Sequence, residues 1–250
     1  MRLPHKFEPP ARRRLLRQWA IVFVIVFSLL ILGAVWGRLH VLPNFRPPLR
    51  AGEELGIDLK SHQEPINWKM LRTQNVRFAY FEVTNGTKLV NANVGRQWNN
   101  AQSAGVTSGA MSQFSLCATG QAQAEAFDAA APTANRSRLD PAVVLQLTDN
   151  CAARPTRDEL RLQLLRFTQI VENHFQRPLV YYVAPDFVGP YPLRFLEHVK
   201  VWLTSYPHRP IWSRWVMWRV DPSAEFVGIS GPVNLDVARI AKISATITSK

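Results

Sequence analysis

From Trp19 to Trp36 the chain reads WAIVFVIVFSLLILGAVW, 18 residues with no charge and no proline. As a helix this run is about 27 Å long, close to the ~30 Å hydrocarbon core of a bilayer. Trp19 and Trp36 stand at its two ends, where interfacial aromatic residues belong. Arg12, Arg13, Arg14 and Arg17 lie just before it, and beyond it Arg38 is the only formal charge before Arg46. The positive-inside rule puts such an N-terminus in the cytoplasm and the bulk of the chain outside. A cleaved signal peptide is the competing reading. Its apolar stretch runs about 7–15 residues and ends in a small-residue site. This run is longer, and Gly33-Ala34-Val35-Trp36-Gly37 is a poor site, so an uncleaved anchor is expected. The expected organisation is a basic tail over 1–18, the anchor over 19–36, a stiff stalk with Pro43, Pro47 and Pro48 over 37–54, and one domain over 55–245.

The chain has 250 residues, 47% hydrophobic and 19% charged, the composition of a folded domain rather than a disordered one. Of the net charge of +12, the tail supplies a large part through Arg2, Lys6 and the four arginines before the anchor. Basic proteins meet nucleic acid, anionic lipid or an anionic polymer. No nucleic-acid module and no dense Lys/Arg stripe follows residue 50, so nucleic acid is not an expected partner. Ordinary solubilising charge and attraction to an acidic glycan remain open. His5, His40, His174, His198 and His208 are scattered without metal-ligand spacing, so neither a metal nor a cofactor is expected.

From Gly56 onward short apolar runs alternate with helical segments, the pattern of a parallel sheet with crossover helices. The expected strands are Gly56–Leu59, Val76–Val83, Val106–Ser112, Ala142–Leu147, Leu179–Val183 and Lys200–Thr204, with shorter ones at Trp215–Val220 and Val227–Ile229. Helices are expected over Val94–Ala104, Gly120–Ala130 and Arg157–Phe175. The last begins with a capping box, Thr156 and Glu159. It carries Leu160, Leu164, Phe167, Val171 and Phe175 on one stripe, which reads as core. Cys117 and Cys151 each follow a predicted strand. Outside the cytoplasm two such thiols usually pair; two unpaired thiols are the alternative. A bridge across this loop stabilises by about 3–4 kcal/mol in the chain-entropy model.

Gly56-Ile57-Asp58-Leu59-Lys60-Ser61-His62-Gln63 resembles the G-I-D-V-S-x-H-Q opening of the lysozymes of glycoside hydrolase family 25. Pro65-Ile66-Asn67-Trp68 continues it, like P-I-D-W. Val76-Arg77-Phe78-Ala79-Tyr80 resembles V-R-F-A-Y, and Arg177-Pro178-Leu179-Val180-Tyr181-Tyr182 resembles R-P-I-I-Y-T. Gly228-Ile229-Ser230-Gly231-Pro232-Val233-Asn234-Leu235-Asp236 is similar to G-I-x-G-x-V-D-L-N. The resemblance implies a distorted TIM-like β/α barrel, of five β/α units plus short strands, with its site at the carboxyl ends of the strands. It also implies peptidoglycan as ligand and cleavage beside N-acetylmuramic acid.

Glycoside hydrolysis needs a carboxylic acid to protonate the leaving oxygen and a second group to stabilise the oxocarbenium-like centre. The family carries D-x-E at the end of one strand, and here those positions hold Gln146 and Thr148. Asn234 stands for the late Asp of V-D-L-N. Only Asp58 keeps its carboxylate. Met111, Ser112 and Arg219 stand where the family often has Tyr, His and Gln, and Glu82 and Asn85 stand for the Lys and Glu of K-A-T-E-G. The degenerate positions are therefore Gln146, Thr148 and Asn234, and the remaining catalytic candidates are Asp58 and Glu82. For ligand binding the candidates are Asp58, His62, Tyr80, Gln146, Tyr182, Trp202 and Trp218, although aromatic residues of late strands are more often core.

Three readings follow. The first is an inactive muramidase-like domain, anchored in the inner membrane of a bacterium, that faces the periplasm or outer surface and binds peptidoglycan or another acidic envelope glycan. The second is an active glycosidase with its acid relocated to Glu82. The third is a scaffold for an envelope protein with no sugar binding. In all three the bilayer is met through residues 19–36.

Overall fold

The computed structural model describes residues 11–41, 44–60, 63, 65–90, 92–131, 139–192, 199–206, 208–212 and 214–244. His62 and the prolyl residue Pro43 lie outside these. The chain divides into two compact units, Met1–Phe45 and Arg46–Lys250.

The first unit is one helix, α1 (Ala11–Trp36), followed by a π-helical turn over Gly37–Val41. Its Leu15–Trp36 stretch, 22 residues with mean hydropathy 2.7, is long and apolar enough to cross a membrane and has none of its surface buried. The helix begins earlier than the apolar run, because Arg and Leu are strong helix formers, second only to Ala.

The second unit is a closed barrel. Its strands are β1 (Glu53–Leu59), β2 (Val76–Asn85), β3 (Lys88–Leu89), β4 (Thr107–Gln113), β5 (Ala142–Leu145), β6 (Val180–Val183), β7 (Lys200–Thr204), β8 (Trp215–Ala224) and β9 (Val233–Arg239). Pairing runs β1-β9-β8-β7-β6-β5-β4-β2 and returns from β2 to β1, while β3 is a short hairpin arm on β2. Six contacts round the wall are parallel, from β1–β2 to β7–β8. The two contacts of β9 are antiparallel. Helices α2 (Trp68–Thr73), α3 (Val94–Ser103), α4 (Gly120–Ala130), α5 (Arg157–Phe175) and α6 (Pro185–Val188) each follow a strand, which gives the five expected β/α units; α7 (Ile240–Ile243) follows β9.

Alternation along the strands sorts two layers of core. Phe78, Tyr80, Met111, Val144, Tyr182, Trp202 and Met217 belong to one buried cluster. On the opposite side of β2, Phe81 meets Trp68 of α2 and Trp98 of α3, each at 5.6 Å between ring centroids. Gly56 is required by the inner layer: a Cβ there would meet the Phe78 ring at 2.4 Å. Helix α5 starts at the expected capping box, with Glu159 N donating to Thr156 Oγ1 at 3.3 Å and Thr156 N donating to Glu159 Oε2 at 2.8 Å. Its five-residue apolar stripe is buried as expected. Cys117 and Cys151 form a disulfide, with Cα atoms 6.0 Å apart.

Several boundaries differ from expectation. β5 ends at Leu145, so Gln146 to Thr148 lie in the turn beyond the strand rather than within it. Val227–Ile229 is no strand; Ile229 makes only an isolated bridge to Ile66. The strand in that region is β9, in which apolar Val233, Leu235 and Val237 alternate with polar Asn234 and Asp236. The end of the expected stalk packs on the barrel: the Arg46 guanidinium stacks over Phe226 at 4.1 Å, and Arg209 Nη2 donates to Pro48 O at 3.1 Å.

Helices α4 and α5 approach closely at Gly120, where a Cβ would stand 1.9 Å from the backbone oxygen of Gln163. Backbone cannot swing aside as a side chain can. Gly120→Ala is therefore expected to destabilise the barrel by about 1–3 kcal/mol, read as a lowered midpoint in urea unfolding. An unchanged midpoint would show that the two helices separate freely.

Candidate functional site

The carboxyl ends of the parallel strands form a mouth, and the residues entering it follow from strand parity. Asp58 continues the inward row of β1, Glu82 that of β2, Gln146 that of β5 and Tyr182 that of β6, while Arg219 comes from β8 and Asn234 and Asp236 from β9. Register sets the depth. Asn234 lies opposite Asp58, and Asp236 lies one layer deeper, opposite both Gly56 and Arg219.

Arg219 sits at the centre. One of its Nη atoms is bonded to Asp58 Oδ2. Its Nε is 3.7 Å from Asp236 Oδ1, and its guanidinium carbon lies 4.0 Å from the Tyr182 ring centroid. Asn234 Nδ2 donates to the other oxygen of Asp58 at 2.7 Å, and Trp202 Nε1 donates to Asp236 Oδ1 at 3.0 Å. Burial alone would lower the pKa of Arg219. Asp58 foremost, with Tyr182 and Asp236, outweighs it and holds the guanidinium above its ordinary value. Asp236 is pushed well above the usual carboxylate range, first by burial and then by the neighbouring charge of Asp58. The cluster is thus an Arg219–Asp58 ion pair with the Asp236 carboxyl set beneath it. Asp58 is 2% exposed, with both oxygens engaged, so it offers no open face to a ligand.

Two further carboxyls stand at the rim. Glu82 is half-buried, and its pKa is raised by that burial and by Asp58, against the opposing pull of Lys60. Asp186, two residues past the inward Ala184, lies at the start of α6. Its Oδ2 accepts from Leu147 N at 3.1 Å, Thr148 N at 2.7 Å and Thr148 Oγ1 at 2.7 Å. Partial burial raises its pKa, but the Thr148 hydroxyl and the amides prevail and hold it below the ordinary value.

Asp58, Gln146, Tyr182 and Asn234 thus come together as expected positions of one mouth, with Thr148 at its edge and Glu82 beside it. Besides the closed Asp58, three aromatic ligand candidates lie buried. Tyr80 and Trp202 are fully buried and Trp218 is 2% exposed. Tyr80 donates to Asp140 O at 2.8 Å, and Trp202 forms the floor under Asp236. Trp218 packs on Trp215 outside the wall at 6.2 Å. None presents a ring face to a sugar. Met111 lies in the core, and the Ser112 hydroxyl is used by Thr84 at 2.8 Å. Arg219, Asp236 and Asp186 were not among the candidate site residues. Asp236 was legible in principle: V-N-L-D exchanges the Asn and Asp of V-D-L-N between two positions on one strand face.

The barrel and its mouth define a fold of the lysozyme-like type, and comparison with known proteins supports that class. The sequence profile of the glycosyl hydrolases family 25 matches residues 57–229. An uncharacterized protein of Escherichia coli K12, YegX, is 26% identical over 190 residues, covering 73% of this chain and 68% of that protein. A family 25 glycosyl hydrolase of Bacillus anthracis superposes with a TM-score of 0.68 at 23% identity, over 77% of this chain and 91% of that one. The bacterial lysozyme of Streptomyces coelicolor does so with 0.65 at 20% identity, over 78% and 93%. The chain belongs to the glycosyl hydrolases family 25.

Removing one partner of a buried ion pair leaves an uncompensated charge, at a cost of about 3–5 kcal/mol. Arg219→Gln is expected to lower unfolding stability by that amount. Adding Asp58→Asn to it should recover part of the loss, since the stranded carboxylate is then gone. Urea titration of the two single variants and the double variant measures the coupling; additive losses would show that the pair is not formed.

Proposed function

We propose that this chain is a membrane-anchored member of the family that binds the glycan of peptidoglycan without cleaving it. The observation that carries the reading is the buried Arg219–Asp58 pair. A carboxylate that must meet a developing positive charge on a sugar is here already neutralised by a permanent cation. The acid is also missing: Gln146, Thr148 and Asn234 cannot exchange a proton near neutral pH. Loss of a general acid typically lowers turnover by about 10²–10⁴-fold. The polar shapes at those positions suit a neutral binding cleft better than a collapsed one. We place the tail, residues 1–18, in the cytoplasm, the anchor at 19–36 in the inner membrane and the barrel in the periplasm, on the strength of the arginines before the apolar helix.

One observation favours a second reading, an active glycosidase. Glu82 has the raised pKa that a general acid needs and neighbours Asp58.

The test is incubation of the full chain, in detergent, with purified peptidoglycan sacculi. Retention by the sacculi with no soluble muropeptide released is the expected outcome. Release that Asp58→Asn abolishes would sink the binding reading, and its loss in Glu82→Gln would assign the acid. Absence of both retention and release, together with a stable protein partner, would point to an envelope scaffold without sugar binding.

A further inference from the structure

Two carboxamides at the mouth have orientations dictated by their partners. Asn234 lies 2.7 Å from the Asp58 carboxylate, an acceptor, so its NH₂ faces inward and its Oδ1 faces the other way. Gln146 lies 2.9 Å from the backbone oxygen of Thr148, so its NH₂ is held there and its Oε1 is turned outward. Both residues are half-buried, and among the described residues neither outward oxygen has a hydrogen-bonding partner. Asp186 accepts three bonds from residues 147 and 148 on Oδ2; the Phe187 amide also donates to its carboxylate, which keeps its negative charge at the exposed rim. Glu82 adds a fourth acceptor from β2. The cation at the centre does not offset them, since Arg219 is buried and stacked on Tyr182. Lys60 is the cation whose charge reaches Glu82.

The mouth is therefore lined from β2, β9 and the ends of β5 and β6 by oxygens that accept. We propose that it selects its ligand by donated hydrogen bonds. It takes the hydroxyl, amide N–H and above all ammonium groups of an amino sugar, and it rejects sugars that present carboxylates. This rests on the glycan-binding reading and specifies it. It also runs against the exported part of the chain, whose net charge of +7, the +12 of the whole less the +5 of residues 1–18, would draw in anionic sugars.

Isothermal titration of the full chain in detergent with three oligosaccharides tests it: a glucosamine oligomer, an N-acetylglucosamine oligomer and a galacturonate oligomer. The expected order is glucosamine first, N-acetylglucosamine about tenfold weaker, and no measurable binding of galacturonate, a charge-assisted bond being roughly twice as strong as a neutral one. Asp186→Asn removes the charge, while its one oxygen stays with the donors of residues 147 and 148. It should erase the tenfold preference for the ammonium sugar while leaving affinity for the acetylated one within about twofold. A role confined to holding the 147–148 turn would instead weaken both sugars alike. Galacturonate binding as well as glucosamine would overturn the proposal. Retention on sacculi with the order reversed would overturn it while sparing glycan binding. Failure of all three sugars and of sacculi would remove both.

Discussion

A buried guanidinium joins four walls of the barrel. Arg219 on β8 is bonded to Asp58 on β1, stacked on Tyr182 of β6 and set against Asp236 of β9. Taking such a charge out of water costs several kcal/mol, which is recovered only when geometry and further hydrogen bonds are good. Asp58 supplies the charge, Asn234 holds Asp58 in place and Trp202 does the same for Asp236. The centre of the mouth is in this way closed by the interaction that stabilises it. A ligand can reach what surrounds the pair but not the pair.

The Asn234 and Asp236 exchange and Arg219 are physically one change. Residues two apart on a strand share a face, so moving the carboxylate from 234 to 236 lowers it by one layer without turning it away. At that depth it meets Arg219 in register across β8 and β9. An arginine there without a nearby acid would leave Asp58 as its sole anionic neighbour, while an acid there without the arginine would be buried against Trp202 with no cation. Each substitution makes the other tolerable.

Much of the fold was legible before the structure. The helix over Arg157–Phe175, its capping box and its apolar stripe depend on spacings of three and four and on one local cap. Such signals survive without tertiary context. The helices over Val94–Ala104 and Gly120–Ala130 were legible from the pattern, whereas the count of five β/α units rested on the family resemblance. β9 was not, although Val233, Leu235 and Val237 alternate with Asn234 and Asp236, because its polar residues face the barrel interior, the reverse of the usual apolar-in pattern. The extent of β5 was overestimated because an apolar run continues through Leu147, whereas the chain leaves the sheet once Asp186 captures the amides of Leu147 and Thr148. Asp58, Gln146 and Asn234 could be placed at the mouth by motif and parity. Asp186 could not, since its partner is 38 residues away and the contact is made by the closure of neighbouring strands. The burial of Tyr80, Trp202 and Trp218 was likewise beyond the sequence, because an aromatic residue near a strand end reads alike as floor, wall or ligand platform.

The loop that carries Gln146 and Thr148 is held by more than the disulfide at its far end. Asn150 accepts from Leu116 N and Cys151 N and donates to Phe114 O and to Gln146 O, so all its hydrogen-bonding capacity serves the turn. Gln113 donates to Asp149 O from the neighbouring strand, and Asp186 fixes the other flank. A turn tied at four successive residues does not rearrange to admit a ligand. Whatever binds must fit acceptors that are already in position, and little ordering entropy is lost when it does. Preorganisation of this kind is what catalysis demands of a site, and it is equally what selective binding demands. Under the proposed function, that second use needs only acceptor oxygens held in place, here those of Gln146, Asn234, Asp186 and Glu82.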